Sequence, residues 1–267
     1  MKKVSKIVVF DLDETLGHFT ELGMFWDTIQ QHFHHDLGQE SFNKICDLYP
    51  EFFRPHIFVI LKFLINKTKH NKKNKVMIYT NNQGPRSWTM LIKNYIESKL
   101  NYKLFNQIIC AFKVRGKQME MCRTTHNKTY DDFIKCTKIP RSAEICFLDD
   151  QVHEDMEHDK VYYIHVKPYV YNIKFVEMIN IFVNSSIGKS LIEKYYNNNI
   201  DKFKHVCLNF LKKYEHEHYN KSKTDHNVDK IVSKKMMIHL QHFFNNSYSN
   251  GTIKIKKGGG KKTRKVR

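Results

Sequence analysis

Long apolar runs are missing from this chain. No stretch approaches the roughly 18 consecutive apolar residues that a membrane-spanning helix needs, and Met1-Lys2-Lys3 leads into a short strand-like pattern rather than the apolar core of a signal peptide. A soluble, intracellular protein with no membrane partner is the expectation. The six cysteines, Cys46, Cys110, Cys122, Cys136, Cys146 and Cys207, include no CxxC pair. Without that spacing, and with four of them in or beside apolar runs, reduced core thiols are expected rather than disulfides or a zinc site. Internal repeats are absent. Acid is scarce: 45 Lys and Arg stand against 27 Asp and Glu, a formal charge of +18. The last sixteen residues supply eight cations and no acid, so the remainder still carries +10. Such a field favours polyanionic partners, whether nucleic acid, phosphoprotein or an acidic membrane surface, without choosing among them.

What is present suffices for one substantial core, since the chain has 267 residues and 41% hydrophobic content. Five short runs, residues 4–10, 75–80, 107–112, 144–148 and 161–166, are apolar and β-branched or aromatic at their centres, as strands covered on both faces are. Between them lie helical patterns at 55–66, with Pro55 at the start and Ile57, Phe58, Ile60, Leu61 and Leu64 as an apolar stripe, and at 87–100. This alternation implies an α/β fold with a parallel sheet. Residues 17–53 exceed an ordinary strand-to-helix connection and carry Phe19, Met24, Phe25, Trp26, Phe33 and Phe42, which makes them a candidate cap or flap. Helical patterns return at 172–183, 189–214 and, after a polar break at 215–227, at 228–244. The expected organisation is an α/β domain over 1–171 with its insertion at about 17–53, a helical extension over 172–250, and a basic tail over 251–267 that is disordered by composition.

Transfer of a phosphoryl group to a carboxylate needs a nucleophilic oxygen, a cation to neutralise the dianion, and a proton source for the leaving alkoxide. In Asp11-Leu12-Asp13-Glu14-Thr15-Leu16, directly after an apolar run, Asp11 and Asp13 fall on the same side of an extended chain and could supply the first and third. Taken alone, DxDxT is equally what a solvated turn carries. A second run, 76–79, ends in Thr80-Asn81-Asn82-Gln83-Gly84, whose hydroxyl and backbone N–H groups could hold phosphate oxygens; a plain turn with a helix cap fits the same residues. A third run ends in Asp149-Asp150. Magnesium takes oxygen ligands and few of them from protein, so Asp11 and Asp149 would suffice with waters and phosphate oxygens. The cation facing the phosphate is assigned to Lys128, just ahead of a helix that feeds the Asp149 run, with Lys135 and Lys138 as alternatives.

In this order DLDETL, IYTNN, a lysine and FLDD resemble the four motifs of the haloacid dehalogenase superfamily. Within it the chain is similar to the C-terminal-domain phosphatases known as FCP/SCP or NLI-interacting-factor-like phosphatases, over residues 4 to about 171, with Phe53-Arg54-Pro55 ahead of a helix also similar. The resemblance implies a Rossmann-like sheet of five parallel strands in the order 3-2-1-4-5 and Mg2+ as cofactor. It implies Asp11 as nucleophile and metal ligand, and Asp13 as general acid then base and, through its carbonyl, a metal ligand. Thr80 and Asn81 would bind phosphate, Lys128 would clamp the charge, Asp149 would ligate the metal, and Asp150 would act on it through water. Implied substrates are phosphoserine or phosphothreonine in proteins, typically the RNA polymerase II tail. The chain departs from that group in a longer stretch from Lys128 to Asp149, in the lack of a phosphopeptide-recognition domain, and in the helical extension. Its Lys- and Asn-rich usage and KKGGGKKTRK tail are similar to proteins of large eukaryotic DNA viruses, which would place it in the cytoplasm or nucleus of a host cell.

Other signals read as surface or core. The histidine run at 32–36, Glu215-His216-Glu217-His218, and His239 with His242 scatter around a helix or alternate along a strand rather than converging on a metal. Glu154, Asp155, Glu157 and Asp159 read as a solvated helix or turn, and the aromatic residues of 17–53 as core of the insertion. The chemistry also serves a nucleic-acid end or a small phosphomonoester, and a basic binding module without catalysis is the non-enzymatic alternative. Substrate choice would rest on the insertion and on residues 84–123.

Overall fold

The computed structural model describes residues 4–33, 37–214 and 221–246. The tail at 251–267, the histidines at 34 and 35, and the Glu-His repeat at 215–218 lie outside the described residues. In chain order the elements are β1 (Lys6–Phe10), α1 (Thr20–His32), α2 (Gln39–Cys46), α3 (Ile57–His70), β2 (Lys75–Tyr79), α4 (Arg86–Leu100), β3 (Phe105–Ile109), the short hairpin strands β4 (Lys113–Val114) and β5 (Lys117–Gln118), α5 (Tyr130–Thr137), β6 (Glu144–Asp149), β7 (Val161–His165), α6 (Phe175–Asn184), α7 (Ser186–Tyr196), α8 (Ile200–Leu211) and α9 (Lys223–Asn245).

Five strands form one parallel sheet in the order β3-β2-β1-β6-β7, with helices on both faces. Side chains alternate across it. Val8 and Phe10 enter the larger core with Val76, Ile78, Cys146 and Leu148, whereas Ile7 and Val9 join Met77, Tyr79, Ile145 and Phe147 on the other face. Burial on both faces explains why these strands read as continuous apolar runs. The two layers are unequal. Helix α5 covers the smaller face through Tyr130 and Phe133, while residues of α1–α4 and α6–α9 all enter the larger core.

The insertion belongs to that larger core. Phe19, Phe25, Trp26, Phe33 and Phe42 are buried, and its ends meet where Gly17 bridges Phe53 and the His18 N–H donates to the Phe52 carbonyl at 2.8 Å. Gly17 is required there, because a Cβ would lie 2.3 Å from the Phe52 carbonyl oxygen. The extension packs against the insertion rather than standing apart. Phe203 of α8 stacks on Phe33 at 5.3 Å, with Phe182 of α6 at 5.7 Å and Tyr196 of α7 at 5.3 Å from its ring.

Several boundaries shift for local reasons. The pattern at 189–214 splits into α7 and α8 because Asn197 and Asn198 take left-handed backbone angles, which asparagine tolerates better than most residues. Helix α9 starts inside the polar break, since Ser222 and Asp225 form a reciprocal capping box. The first helical pattern begins at Ile57, two residues after Pro55, because His56 has a φ of 61°.

The cysteines correct the expectation of thiols throughout. Cys46, Cys110, Cys146 and Cys207 are free and buried, but Cys122 and Cys136 form a disulfide with their Cα atoms 5.0 Å apart. They are single cysteines 14 residues apart. Their meeting depends on the loop before α5 turning back, which spacing alone does not reveal. Among the described residues no helix is long and apolar enough to cross a membrane.

The aromatic junction predicts a measurable dependence of the whole chain on the extension. Phe203→Ala should cost about 3–5 kcal/mol and lower a single unfolding transition in chemical denaturation. A separate early transition, with the main one unmoved, would show that the extension is not part of the common core.

Candidate active site

The carboxyl ends of β2, β1 and β6 lie side by side. Chain direction across the sheet reverses between β1 and β6, because β2 and β3 extend to one side and β6 and β7 to the other. Crevices at such reversals are where open parallel sheets bind ligands. Asp11 follows β1 and continues the ladder, its N–H donating to the Leu148 carbonyl at 2.9 Å, and Asp149 closes β6. Thr80 follows β2, with its N–H on the Ile109 carbonyl at 2.9 Å. Asp11, Asp13, Thr80, Asn81, Lys128, Asp149 and Asp150, the seven residues singled out in the sequence, all line one cleft of about 240 Å3.

Lys128 is buried at its centre. Its ammonium donates to Asp149 Oδ2 at 2.6 Å and to Asp11 Oδ1. Lys135 and Lys138 are exposed, on the last turn of α5 and at its C-cap, so Lys128 alone of the three lysines reaches the cleft. The loop delivering it is fixed at several points. Arg123, buried, donates to the carbonyls of Cys110 at 2.8 Å, His126 at 2.9 Å, Asn127 at 3.1 Å and Thr80 at 3.3 Å, and lies over the Tyr79 ring. Asp132 accepts from the Thr124 N–H at 2.8 Å, and Thr129 caps α5 by accepting the Asp132 N–H at 3.0 Å. The Cys122–Cys136 disulfide closes the same loop.

On the other side, Asp13 Oδ2 accepts from Asn82 Nδ2 at 2.7 Å. Glu14 has a φ of 54°, a left-handed angle that costs of order 1–2 kcal/mol for most residues. The turn is held by Arg54, whose guanidinium donates to the carbonyls of Thr15 at 2.6 Å, Glu14 at 2.5 Å and Lys167 at 2.9 Å. Asp149 Oδ1 accepts the Gln151 N–H at 2.9 Å, and His153 Nε2 lies 3.5 Å from Asp149 Oδ2. Asp150 accepts from Gln151 Nε2 at 2.6 Å and from the Thr15 hydroxyl at 3.4 Å.

Electrostatics follow from burying more negative than positive charge. Burial drives the Asp11 carboxyl well above the ordinary range, and Asp149 beside it adds to this despite the opposing pull of Lys128. Burial likewise raises Asp13 against the Asn82 hydrogen bond. Burial would lower Lys128, but Asp11 and Asp149 outweigh it and hold the ammonium charged. At Asp149 burial is overcome by the hydrogen bonds of His153 and Lys128, leaving the carboxyl low. Glu14, half-buried at the rim, is pushed up to about 7 by burial, then by Asp13, Asp150 and Glu21.

One ammonium does not balance these carboxylates. Asp11, Asp149 and Asp150 each offer an oxygen within 4.8 Å of the others, a set drawn from oxygen alone. That composition fits a hard cation such as Mg2+ better than zinc or another soft-ligand metal. His239 and His242 pack instead beside Tyr162 in the α9 region, and Glu154 and Asp155 are exposed in a short turn.

Gln151, His153 and Arg123 carry no signal in the sequence motifs, while Arg54 and Asn82 lie inside Phe53-Arg54-Pro55 and residues 80–84 without a role that those stretches assign to their side chains. Asn82 and Gln151 were each one residue from a residue singled out, so a wider window around each strand end would have caught them. Nothing in the sequence marks Arg123, whose role is made by four carbonyls from three separate segments. No family model, curated protein or solved structure matches this chain.

Two outcomes follow from this geometry. Arg123→Met should cost about 2–4 kcal/mol by stranding buried carbonyls, and an unchanged denaturant midpoint would contradict its anchoring role. In the metal-free protein the Glu14 carboxyl should titrate near 7 by carbon-13 NMR, against an ordinary 4.5. Between those values the folded chain keeps a proton that the unfolded chain has lost, so stability falls as pH rises through the window. Glu14→Gln should flatten that slope.

Proposed function

We propose that this chain is a magnesium-dependent phosphomonoester hydrolase of haloacid dehalogenase type, working through an aspartyl-phosphate on Asp11 and acting on phosphoserine or phosphothreonine in proteins. The observation that carries the reading is the ammonium of Lys128 bridging Asp11 and Asp149 at the sheet reversal, with Asp13 and Thr80 opening on the same cleft.

An oxygen of Asp11 attacks phosphorus and the bond to the leaving oxygen breaks. Asp13 gives that oxygen its proton. A carboxyl raised by burial keeps a proton to higher pH than an exposed one, which supports Asp13 as the acid, and its hydrogen bond from Asn82 holds it toward the cleft. In the second half Asp13 takes a proton from water, the water oxygen attacks phosphorus, and the Asp11 carboxylate leaves. Lys128 offsets the charge shared by nucleophile and phosphoryl group, while the Thr80 hydroxyl and the turn after it are donors for phosphate oxygens. Asp11, Asp149 and Asp150 would hold Mg2+, which supplies positive charge for the phosphoryl oxygens.

The formal charge of +18 favours a second reading, the same chemistry at a nucleic-acid end.

The purified protein should hydrolyse an aryl phosphate in Mg2+ and lose the activity on chelation. Asp11→Asn should abolish turnover, and Asp13→Asn should lower kcat by about 10²–10⁴. Turnover that survives Asp11→Asn would sink the mechanism.

A further inference from the structure

The segment that delivers Lys128 buries no apolar side chain. Residues 119–129, between β5 and α5, hold no helix or strand, and the side chains they bury, Arg123 and Lys128, are both cations. Met121 of the same segment is 76% exposed. A loop ordinarily gains its hold from the apolar groups it removes from water. This one takes two charges out of water instead, which is unfavourable unless each keeps its partners. Arg123 has carbonyls and Lys128 has Asp11 and Asp149. Those partners act only while the loop is down, because swinging outward returns both cations to water.

A covalent clip closes this segment. Cys122 directly precedes Arg123, Cys136 lies in the last turn of α5, and Lys128 falls between them. The bridge removes open conformations whether or not the polar bonds of the loop are made, which no hydrogen bond does. For a closed loop of about 15 residues, close to the 14 that separate this pair, that restriction corresponds to an open population lower by about 100-fold. Neither cysteine is in the described lining of the cleft, so the clip acts on the cleft only through the loop it closes. Access also sets the pair apart. Cys46, Cys110, Cys146 and Cys207 are buried, whereas Cys122 and Cys136 are half-buried, so a thiol in solution meets this pair of sulfurs first.

We propose that Cys122 and Cys136 form a thiol–disulfide control site, which holds Lys128 in the cleft when oxidised and releases the loop when a dithiol reduces it. A thiolate of the dithiol attacks one sulfur of the bridge, the S–S bond breaks, and the other cysteine leaves as a thiolate that takes a proton. The second sulfur of the dithiol then closes on its first and expels the remaining cysteine. Two electrons and two protons thus pass to the chain, and the reagent becomes a cyclic disulfide. The same exchange run backwards restores the clip. Once the loop is released, Lys128 is hydrated and Asp11 and Asp149 lose the ammonium between them. The two cysteines position Lys128 and touch no reacting atom. Their effect on turnover rests on the phosphatase reading, whereas their hold on Lys128 does not.

The full chain purified without reductant is compared with the same chain equilibrated with dithiothreitol, and with the double variant Cys122→Ser, Cys136→Ser. Unfolded and alkylated, the untreated chain should take up four equivalents of reagent and the reduced chain six, and six in both would overturn the proposal. Acetylation of the Lys128 amine, read by peptide mass spectrometry, should be about 100-fold faster after reduction. Hydrogen exchange should quicken over 119–129 while β1 and β6 keep their protection. Lys128 labelling that ignores reduction, or protection lost across the sheet as well, would make the bridge a passive staple and overturn the control site. Turnover of an aryl phosphate in Mg2+ should fall about tenfold or more on reduction and return with the oxidised reagent. In the double variant it should be low and insensitive to the dithiol. Equal turnover in the two redox states of an active chain would also overturn the control site. Lys128 labelling that responds to reduction while neither state turns over would overturn the catalytic reading and leave the hold on Lys128 standing.

Discussion

A buried ammonium between two buried carboxylates organises this molecule. Removing a charge from water costs several kcal/mol even after relaxation, and only close, well-directed partners recover it. Lys128 therefore ties the ends of β1 and β6 to the loop before α5, because losing any one of the three partners would leave a buried charge uncompensated. The surrounding construction serves that requirement. Arg123 gathers carbonyls from three segments beneath the loop, Asp132 and Thr129 fix its exit, and a disulfide closes it. The site still carries more carboxyl than ammonium, and the excess makes it receptive to a further cation.

The unequal layers give the site its surroundings. On one face of the sheet α5 is the main cover, so the loop it follows can drop Lys128 straight onto the strand ends. On the other face the insertion, α3, α4 and the extension share one core, in which Phe33, Phe182 and Phe203 join segments far apart in the chain. That packing fixes α1 against the body. Its outer edge is then held beside the β2–α4 turn, and the groove between them exists because neither wall is a free flap.

Much of the cleft was legible from the chain. Apolar strands that deliver Asp11, Thr80 and Asp149 to their ends are visible because a strand buried on both faces must be apolar throughout, and the polar residue that ends it stands out. Lys128 was legible only by its place ahead of a helix; its two neighbours of the same charge looked much alike until burial separated them. Asn82 and Asn81 are adjacent and chemically identical, and only the turn decides that Asn82 bonds Asp13. The helix starts at Ser222 and Ile57 and the break at Asn197 follow from local capping and backbone angle, which hydrophobic periodicity does not sense.

By itself the sequence determined the alternation of strands and helices, the identity of the strand-end carboxyl groups and the excess of positive charge. These are local properties, carried by neighbouring residues or by simple counting. Tertiary structure alone decided that Cys122 meets Cys136, that Arg123 and Arg54 donate to backbone carbonyls of distant segments, and that a basic chain keeps lysine and arginine out of the described lining of the groove beside its cleft. Each depends on which distant segments the buried core brings together, and on how a buried charge or donor must then be satisfied, so none has a signature within one stretch of chain.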